Sequence, residues 1–117
     1  MNIYNRSSLI AFYSKHPDCK NTLERWYHDV GSKKWRKPGD VTADFNTARA
    51  INNSRAIFNI NNNDYRLIVE INYAKGWVFI KFIATHAQYD KVDPATVNLF
   101  GPATKAKKLT RKKTRKQ

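Results

Sequence analysis

The sequence predicts a small α+β domain in which N-terminal helices pack on one face of a small antiparallel β-sheet. Two observations support this class. Between Ala56 and Val92 the chain contains three consecutive apolar stretches, and the connections between them are too short to hold a helix. Before them, apolar residues recur at helical spacing. Each predicted strand is apolar on both faces, so we expect helices to cover one side of the sheet and a partly enclosed surface on the other.

Two helices are predicted in the first 31 residues. Asn5 can cap the first, which continues to His16, where Pro17 ends it. Asp18 can cap the second, which runs to about Val30 and is followed by a glycine that suits a helix end. The residues predicted to face the core are Leu9, Ile10, Phe12 and Tyr13 in the first helix and Leu23, Trp26, Tyr27 and Val30 in the second.

A short third helix and the strands follow. Pro38 fits the first turn of a helix, and its predicted inward-facing residues are Val41, Ala43 and Phe45. Asn61-Asn62-Asn63 predicts a hairpin turn, because asparagine tolerates positive φ. The predicted strands are Ala56–Ile60, Asp64–Tyr73 and Trp77–Ala84, with a possible short edge strand at Asn2–Tyr4.

The positive charge is divided between a body and a tail. The chain has 117 residues and a net charge of +13, and it is long enough for one core without disulfides. Eight of the 22 basic residues lie in a C-terminal run with no acid among them: Lys105, Lys107, Lys108, Arg111, Lys112, Lys113, Arg115 and Lys116. Removing them lowers the net charge from +13 to +5. We therefore predict one domain over residues 1–100 and a basic, disordered tail over 101–117, both favouring a polyanionic partner.

Several classes of protein are disfavoured by composition. The single cysteine, Cys19, cannot form an intrachain disulfide and suits a reducing cytoplasm. The N-terminus lacks the apolar core of a signal peptide, and no apolar run is long enough to span a bilayer. With one cysteine and no HxxE-type spacing, neither a metal site nor another cofactor is expected. No glycine-rich nucleotide loop is present. The sequence favours a soluble cytoplasmic protein.

Four polar residues stand out within the second and third predicted strands and directly after them. Arg66 and Lys81 each lie amid apolar residues, and the last strand runs directly into His86 and Tyr89. If a helical turn begins there, His86 and Tyr89 share one face. A sheet that ends in arginine, lysine, histidine and tyrosine is suited to handling phosphate, and in a chain this basic the phosphate is expected to be that of RNA.

A second group of residues is predicted to contact RNA backbone, which positions a protein without reading sequence. These residues are Lys33, Lys34, Arg36, Lys37 and Arg55. Trp35, within the same basic turn, either stacks on a base or packs against the sheet edge. Asn59 either points into the same concavity as Arg66 or is an edge-strand amide.

The chain resembles a known family in its most specific segments. WYHDVGSKKWRKPGDV, FNI followed by YRLIV, and THAQYDK are similar to segments of the HigB toxins, in the RelE/ParE superfamily of toxin–antitoxin systems. The similarity extends from Asn2 to Val97, with the elements in the family's order. It implies a RelE-like fold and a type II toxin that cuts message on the translating ribosome without metal. It also implies a neighbouring helix-turn-helix antitoxin, through which the complex would bind operator DNA.

The resemblance also suggests roles for the four polar residues. Arg66 matches the family's strand arginine, and its planar guanidinium can engage two phosphate oxygens at once. His86 is the expected general acid or base, since imidazole titrates near neutrality. Tyr89 either stacks on a base or donates a proton, and Lys81 either takes part in catalysis or contacts phosphate.

Structural interpretations of the same residues stay open at this point. Arg66 can pair with Glu70 or another acid. Thr85 can cap a turn, Asp90 can satisfy His86, and Tyr89 can pack in the core. Two other functions also stay open: a non-catalytic inhibitor of the ParE type, and a plain RNA- or ribosome-binding protein. A pure inhibitor needs no acid–base pair, so the presence of all four residues favours the nuclease.

Overall fold

The structure, a computed structural model, describes residues 1–62 and 64–98. The predicted tail, 101–117, lies outside these residues. In chain order the elements are strand β1 (Asn2–Tyr4), helix α1 (Arg6–Lys15), a 3₁₀ turn (Pro17–Cys19), helices α2 (Lys20–Gly31) and α3 (Pro38–Asp44), strands β2 (Arg49–Ala50), β3 (Arg55–Ile60), β4 (Tyr65–Asn72) and β5 (Trp77–Thr85), and helix α4 (His86–Tyr89).

The five strands form one mixed sheet in the order β1-β5-β4-β3-β2. Strands β2 to β5 are antiparallel neighbours, and β1 pairs in parallel with β5 at one edge. The α+β class predicted from sequence is therefore confirmed. Two details differ from the prediction: the edge strand makes the sheet mixed, and β2 was not predicted, because two residues are too few to show an alternating pattern.

Two predicted helix caps are wrong, although the helices themselves form where expected. Asn5 adopts a left-handed conformation (φ 74°) and its side chain caps nothing. Asp18 does not cap α2 because it lies inside the 3₁₀ turn, where its carboxylate accepts a hydrogen bond from the Tyr65 hydroxyl at 2.8 Å. This contact ties the start of α2 to β4.

The main core lies between the helices and the inner face of the sheet. Its most buried members include Leu9, Leu23, Val30, Phe58, Leu67 and Ile80. Trp35 also belongs to it: the side chain is 3% exposed, and its indole N–H donates to Asp44 at 2.8 Å. Base stacking by Trp35 is thus disfavoured, and packing against the sheet is what occurs. Ile10 and Ala43, both predicted to face inward, are exposed.

The outer face of the sheet has a smaller apolar cluster. It comprises Ile57, Ile68, Phe82, Ala84 and Val97, with Ile51, Tyr89 and Val92 packed against it. A β-bulge at Ile68/Val69 shifts the pairing with β5, so that Phe82 and Ile80 have partners and Lys81 between them has none. Because a bulge redirects side chains, Lys81 and Phe82 both reach this outer face.

Candidate functional site

A pocket of about 290 Å³ opens on the outer face beside α4. It is lined by Thr47, Arg49, Ile57, Asn59, Arg66 and Tyr89. Three of these residues, Asn59, Arg66 and Tyr89, were predicted site residues, and the structure brings them together. Two of these residues, Arg49 and Arg66, are cations.

Strand pairing and a helix cap position the predicted residues. Asn59 of β3 lies directly opposite Arg66 of β4 in the antiparallel register, so both side chains leave the same face of the sheet. Tyr89 is placed by α4, which starts where β5 ends. A capping box holds that start: the Thr85 hydroxyl accepts from the Gln88 N–H, and the Gln88 side chain accepts from the Thr85 N–H.

Tyr89 links the two arginines of the pocket. A guanidinium nitrogen of Arg49 donates to the Tyr89 hydroxyl oxygen at 3.3 Å, and the Arg66 guanidinium carbon lies 5.7 Å from the centre of the Tyr89 ring. Because the phenolic oxygen accepts from Arg49, its own proton is directed elsewhere. Two guanidinium groups beside a hydroxyl donor can bind a phosphate and give a proton to an oxygen that leaves it.

His86 lies on α4 but does not line the pocket. Its ring faces Asp90 at 3.6 Å, with both side chains about half exposed. The contacts expected from the structural interpretation are therefore present: Thr85 caps α4, Asp90 pairs with His86, and Tyr89 packs on the outer apolar cluster. His86 is therefore outside the set of residues that line the pocket.

Arg55 occupies a position that differs from the exposed RNA contact predicted for it. The side chain is 7% exposed. Its guanidinium donates to Glu70 at 2.9 Å and to the carbonyl oxygens of Pro94 and Val97 at 3.0 and 2.8 Å. These bonds fasten the segment after α4 to the sheet. Glu70, the acid named as a partner for Arg66, therefore pairs with Arg55, while Arg66 donates to the Tyr65 carbonyl oxygen at 3.4 Å and lines the pocket.

Lys81 is separated from the pocket. Its position in the bulge directs the ammonium over the Phe79 ring, 5.8 Å from the ring centre, and it is absent from the pocket lining. The structure therefore does not bring Lys81 together with Arg66 and Tyr89, as the catalytic prediction required. A phosphate contact remains consistent with its partly exposed position.

The basic turn lies at the opposite end of the sheet. Lys33, Lys34 and Arg36 line a cleft of about 330 Å³ together with Met1 and Lys75. Lys33 contacts Asp44 at 3.8 Å. Lys34 and Arg36 are exposed, as is Lys37, the residue before α3. Arg66 is the second residue of β4, whereas the cleft adjoins the turn after β4. The predicted RNA contacts therefore fall into two separate surfaces.

Arg49 and Thr47 line the pocket but were not predicted from sequence. Arg49 belongs to β2, which pairs with Ile57 and Ala56 of β3. The signal that could have revealed it is the Asn52-Asn53-Ser54 turn, where the Asn52 side chain accepts from the Ser54 and Arg55 N–H groups. Such a turn predicts a hairpin, and a hairpin places Arg49 beside β3.

The largest pKa shifts occur elsewhere, on the helix side of the sheet. Burial, with a smaller contribution from the Asp18 carboxylate, raises the pKa of the Cys19 thiol to about 11. The hydrogen bond between Tyr65 and Asp18, with a smaller contribution from burial, raises the pKa of Tyr65 to about 12. Among residues 1–62 and 64–98, no group of three His, Cys, Asp or Glu side chains is arranged to hold a metal ion.

Comparison with protein families identifies the class of protein. A model of the HigB toxins, described as the RelE-like toxic component of a toxin–antitoxin system, matches residues 19–92. That span includes β2 to β5 and every residue that lines the pocket. The chain belongs to this HigB toxin family, and such a toxin implies an antitoxin partner. None of the curated proteins matches the chain. Within the described part of the chain, no helix has the length and apolarity needed to cross a bilayer.

Proposed function

We propose that the chain is a metal-independent endoribonuclease that cleaves message on the translating ribosome and so inhibits translation. The observation that carries the proposal is the convergence of Arg49, Arg66 and the Tyr89 hydroxyl in one pocket. A plain RNA-binding surface would need cations alone. A proton donor held between two cations suits phosphoryl transfer.

Cleavage of RNA without metal requires three events. The 2′-hydroxyl loses its proton and attacks the adjacent phosphorus, negative charge builds up on the phosphate oxygens, and the 5′-oxygen gains a proton as its bond to phosphorus breaks. Arg66 and Arg49 would hold the phosphate oxygens and stabilise the added charge. Tyr89 would protonate the 5′-oxygen, because its hydroxyl accepts from Arg49 and can donate into the pocket.

His86 is the group we propose to receive the 2′-hydroxyl proton. It lies on the same short helix as Tyr89 and is exposed. The neighbouring Asp90 carboxylate would stabilise the charged imidazole that forms. Asn59 would orient the substrate through its amide, opposite Arg66. Lys81 and Arg55 are left out of the catalytic group. The Lys81 ammonium lies over the Phe79 ring, and the Arg55 guanidinium is bonded to Glu70 and to two carbonyl oxygens.

Dependence on the ribosome follows from how little of the substrate the pocket can hold. An open pocket of this size cannot by itself align a 2′-hydroxyl for in-line attack, and such alignment contributes several powers of ten to a rate. The ribosome would supply it by holding the message. We further propose a helix-turn-helix antitoxin as partner, through which the complex would bind operator DNA.

The test compares cleavage of ribosome-bound and free message by purified variants. We expect the parent to cut bound message and leave free RNA intact. Arg66→Ala, Tyr89→Phe and Arg49→Ala should each lower the rate by ~10²–10⁴, with growth arrest lost on expression. His86→Ala should lower the rate and change its pH profile. Lys15→Ala, an exposed residue at the end of α1, is the matched control and should stay fully active.

Two results would change the assignment. Efficient cutting of free RNA would remove the requirement for the ribosome. If variants with unchanged melting temperatures still arrest growth, the pocket is not catalytic, and the chain acts as an inhibitor of the ParE type instead.

A further inference from the structure

An exposed aromatic cluster lies on the outer face of the sheet at its β1 edge. Tyr4 stacks on Phe79 with ring centres 5.1 Å apart and planes at 20°. Trp77 meets both rings edge-on, at 6.0 Å and 6.1 Å. The parallel register pairs Tyr4 with Phe79 and Asn2 with Trp77, so these side chains share one face while Ile3 and Val78 point into the core. We call Tyr4, Trp77 and Phe79 the aromatic face.

The aromatic face is available to a partner. Tyr4 is 41% exposed, a high fraction for a large apolar side chain in this protein, and Trp77 and Phe79 are half-buried. The three adjacent, partly exposed rings form a contiguous apolar patch, and such patches mark interaction sites.

A lysine stands at each end of the aromatic face. The Lys75 ammonium lies 4.6 Å above the Trp77 ring, and the Lys81 ammonium lies 5.8 Å from the centre of the Phe79 ring. The β-bulge is what directs Lys81 to this position. The nearest carboxylate in the strand register, that of Glu70 opposite Phe79, is already paired with Arg55. The surface is therefore aromatic in the middle and cationic at both ends.

We propose that the aromatic face binds single-stranded RNA, with bases stacked on Tyr4, Phe79 and Trp77 and phosphates contacted by Lys75 and Lys81. Rings flanked by cations match the two features that every nucleotide presents, a planar base and a negatively charged phosphate. A protein partner would satisfy the rings but would leave two ammonium groups beside its own apolar surface.

The aromatic face is distinct from the pocket. Arg66 and Trp77 mark opposite ends of the sheet, because Arg66 pairs with Ala84 whereas Trp77 pairs with Asn72. From Arg66 to Asn72 the strand rises ~20 Å. Identifying the bound strand as message beside the cut rests on the proposed function, whereas binding of a single strand does not.

Trp77 provides an internal probe for the test. The other two tryptophans, Trp26 and Trp35, are 4% and 3% exposed, so a stacked base can quench only Trp77 emission. The full chain is titrated with a short 2′-O-methyl oligonucleotide, which cannot be cleaved because it lacks a free 2′-hydroxyl. We expect saturable quenching that is absent in Trp77→Phe, while that variant still binds.

Matched substitutions separate stacking from general charge attraction. Tyr4→Leu and Phe79→Leu keep an apolar side chain but remove the ring, and each should weaken binding about tenfold. Tyr13→Leu is the control, because Tyr13 is also half-buried beneath a lysine, Lys20, but lies on α1. Tyr13→Leu should bind the oligonucleotide as tightly as the parent, with all proteins compared at a temperature well below their melting temperatures.

Two results would overturn the proposal: an unquenched Trp77 at saturating oligonucleotide, or unchanged affinity in both Leu variants. A change of Trp77 emission caused by antitoxin and not by oligonucleotide would assign the face to a protein partner and equally overturn it. Failure of the proposed function looks different: the parent would not cleave ribosome-bound message, yet Trp77 quenching would persist. Arg66→Ala should likewise abolish cleavage and retain quenching.

Discussion

Replacing Arg55 by alanine is expected to destabilise the fold without removing an RNA contact. The guanidinium is buried and makes three hydrogen bonds, one to Glu70 and two to the carbonyl oxygens of Pro94 and Val97. The substitution removes all three donors. It also releases the segment that carries Val97, whose side chain packs on the outer face of the sheet.

The expected loss of unfolding free energy is the sum of two contributions, the hydrogen bonds to the carbonyl oxygens and the ion pair with Glu70. A hydrogen bond from a charged donor contributes about 1.5–3 kcal/mol. Because Pro94 is only partly buried and its carbonyl can be rehydrated, we take the lower value for both carbonyl bonds, about 3 kcal/mol together. The Glu70 side chain is 42% exposed, so the ion pair adds less than about 1 kcal/mol. For a domain of this size the loss corresponds to a melting temperature lower by roughly 10–20 °C.

The assay combines urea unfolding with RNA binding on the same protein preparations. Arg55→Ala should shift the unfolding midpoint while the folded protein binds RNA with the parent's salt dependence. Glu70→Gln, which retains an acceptor oxygen, should cost about 1 kcal/mol or less. Lys34→Ala is the exposed control and should leave the midpoint unchanged. If Arg55→Ala loses less than about 1 kcal/mol but binds RNA more weakly, the reasoning is refuted and Arg55 contacts RNA.

Three further predictions follow from the structure. Lys34→Gln combined with Arg36→Gln should weaken general RNA binding and reduce the slope of log affinity against log salt concentration by ~0.7 for each lost phosphate contact. Filter binding across a salt series measures this slope, and an unchanged slope would exclude the basic cleft as an RNA-binding surface. Cys19, whose pKa is raised to about 11, should resist alkylation in the native protein at pH 8 and react once urea unfolds it, because the thiolate is the nucleophile; mass spectrometry would detect early labelling as a contradiction. The pKa of Tyr65 is raised from 10.0 to about 12 by Asp18, so the stability that this contact contributes is complete below pH 10 and is lost as the pH rises through 12. Tyr65→Phe should therefore melt at a lower temperature than the parent at neutral pH and approach the parent's melting temperature in alkali. A difference in melting temperature that does not change with pH would argue against the contact.

The strands and their turns could be predicted from sequence because their signals are local. Asn61 and Asn62 adopt φ values of 51° and 62°, as the predicted hairpin required. The predicted strand Trp77–Ala84 differs from the observed Trp77–Thr85 by one residue. Apolar runs separated by short turns leave few alternatives, so pattern alone was sufficient here.

The bulge in β5 and the short strand β2 could not be predicted in this way. An inserted residue such as Lys81 looks in sequence like any other member of a strand, and only the pairing with β4 shows that it has no partner. Similarly, Arg49 reaches Tyr89 across 40 residues of sequence. Contacts of that kind depend on register and on how α4 meets the sheet.

The sequence by itself determined the fold class, the strand order along the chain and the family resemblance, because hydrophobic spacing and turn residues act over a few positions. Only the tertiary structure decided which cations share a site. It placed Arg66 and Asn59 with Arg49 and Tyr89, moved Lys81 to the aromatic face, and buried Arg55 in the fold. The physical reason is that a charge acquires its role from its surroundings, and those surroundings are assembled from segments far apart in the chain.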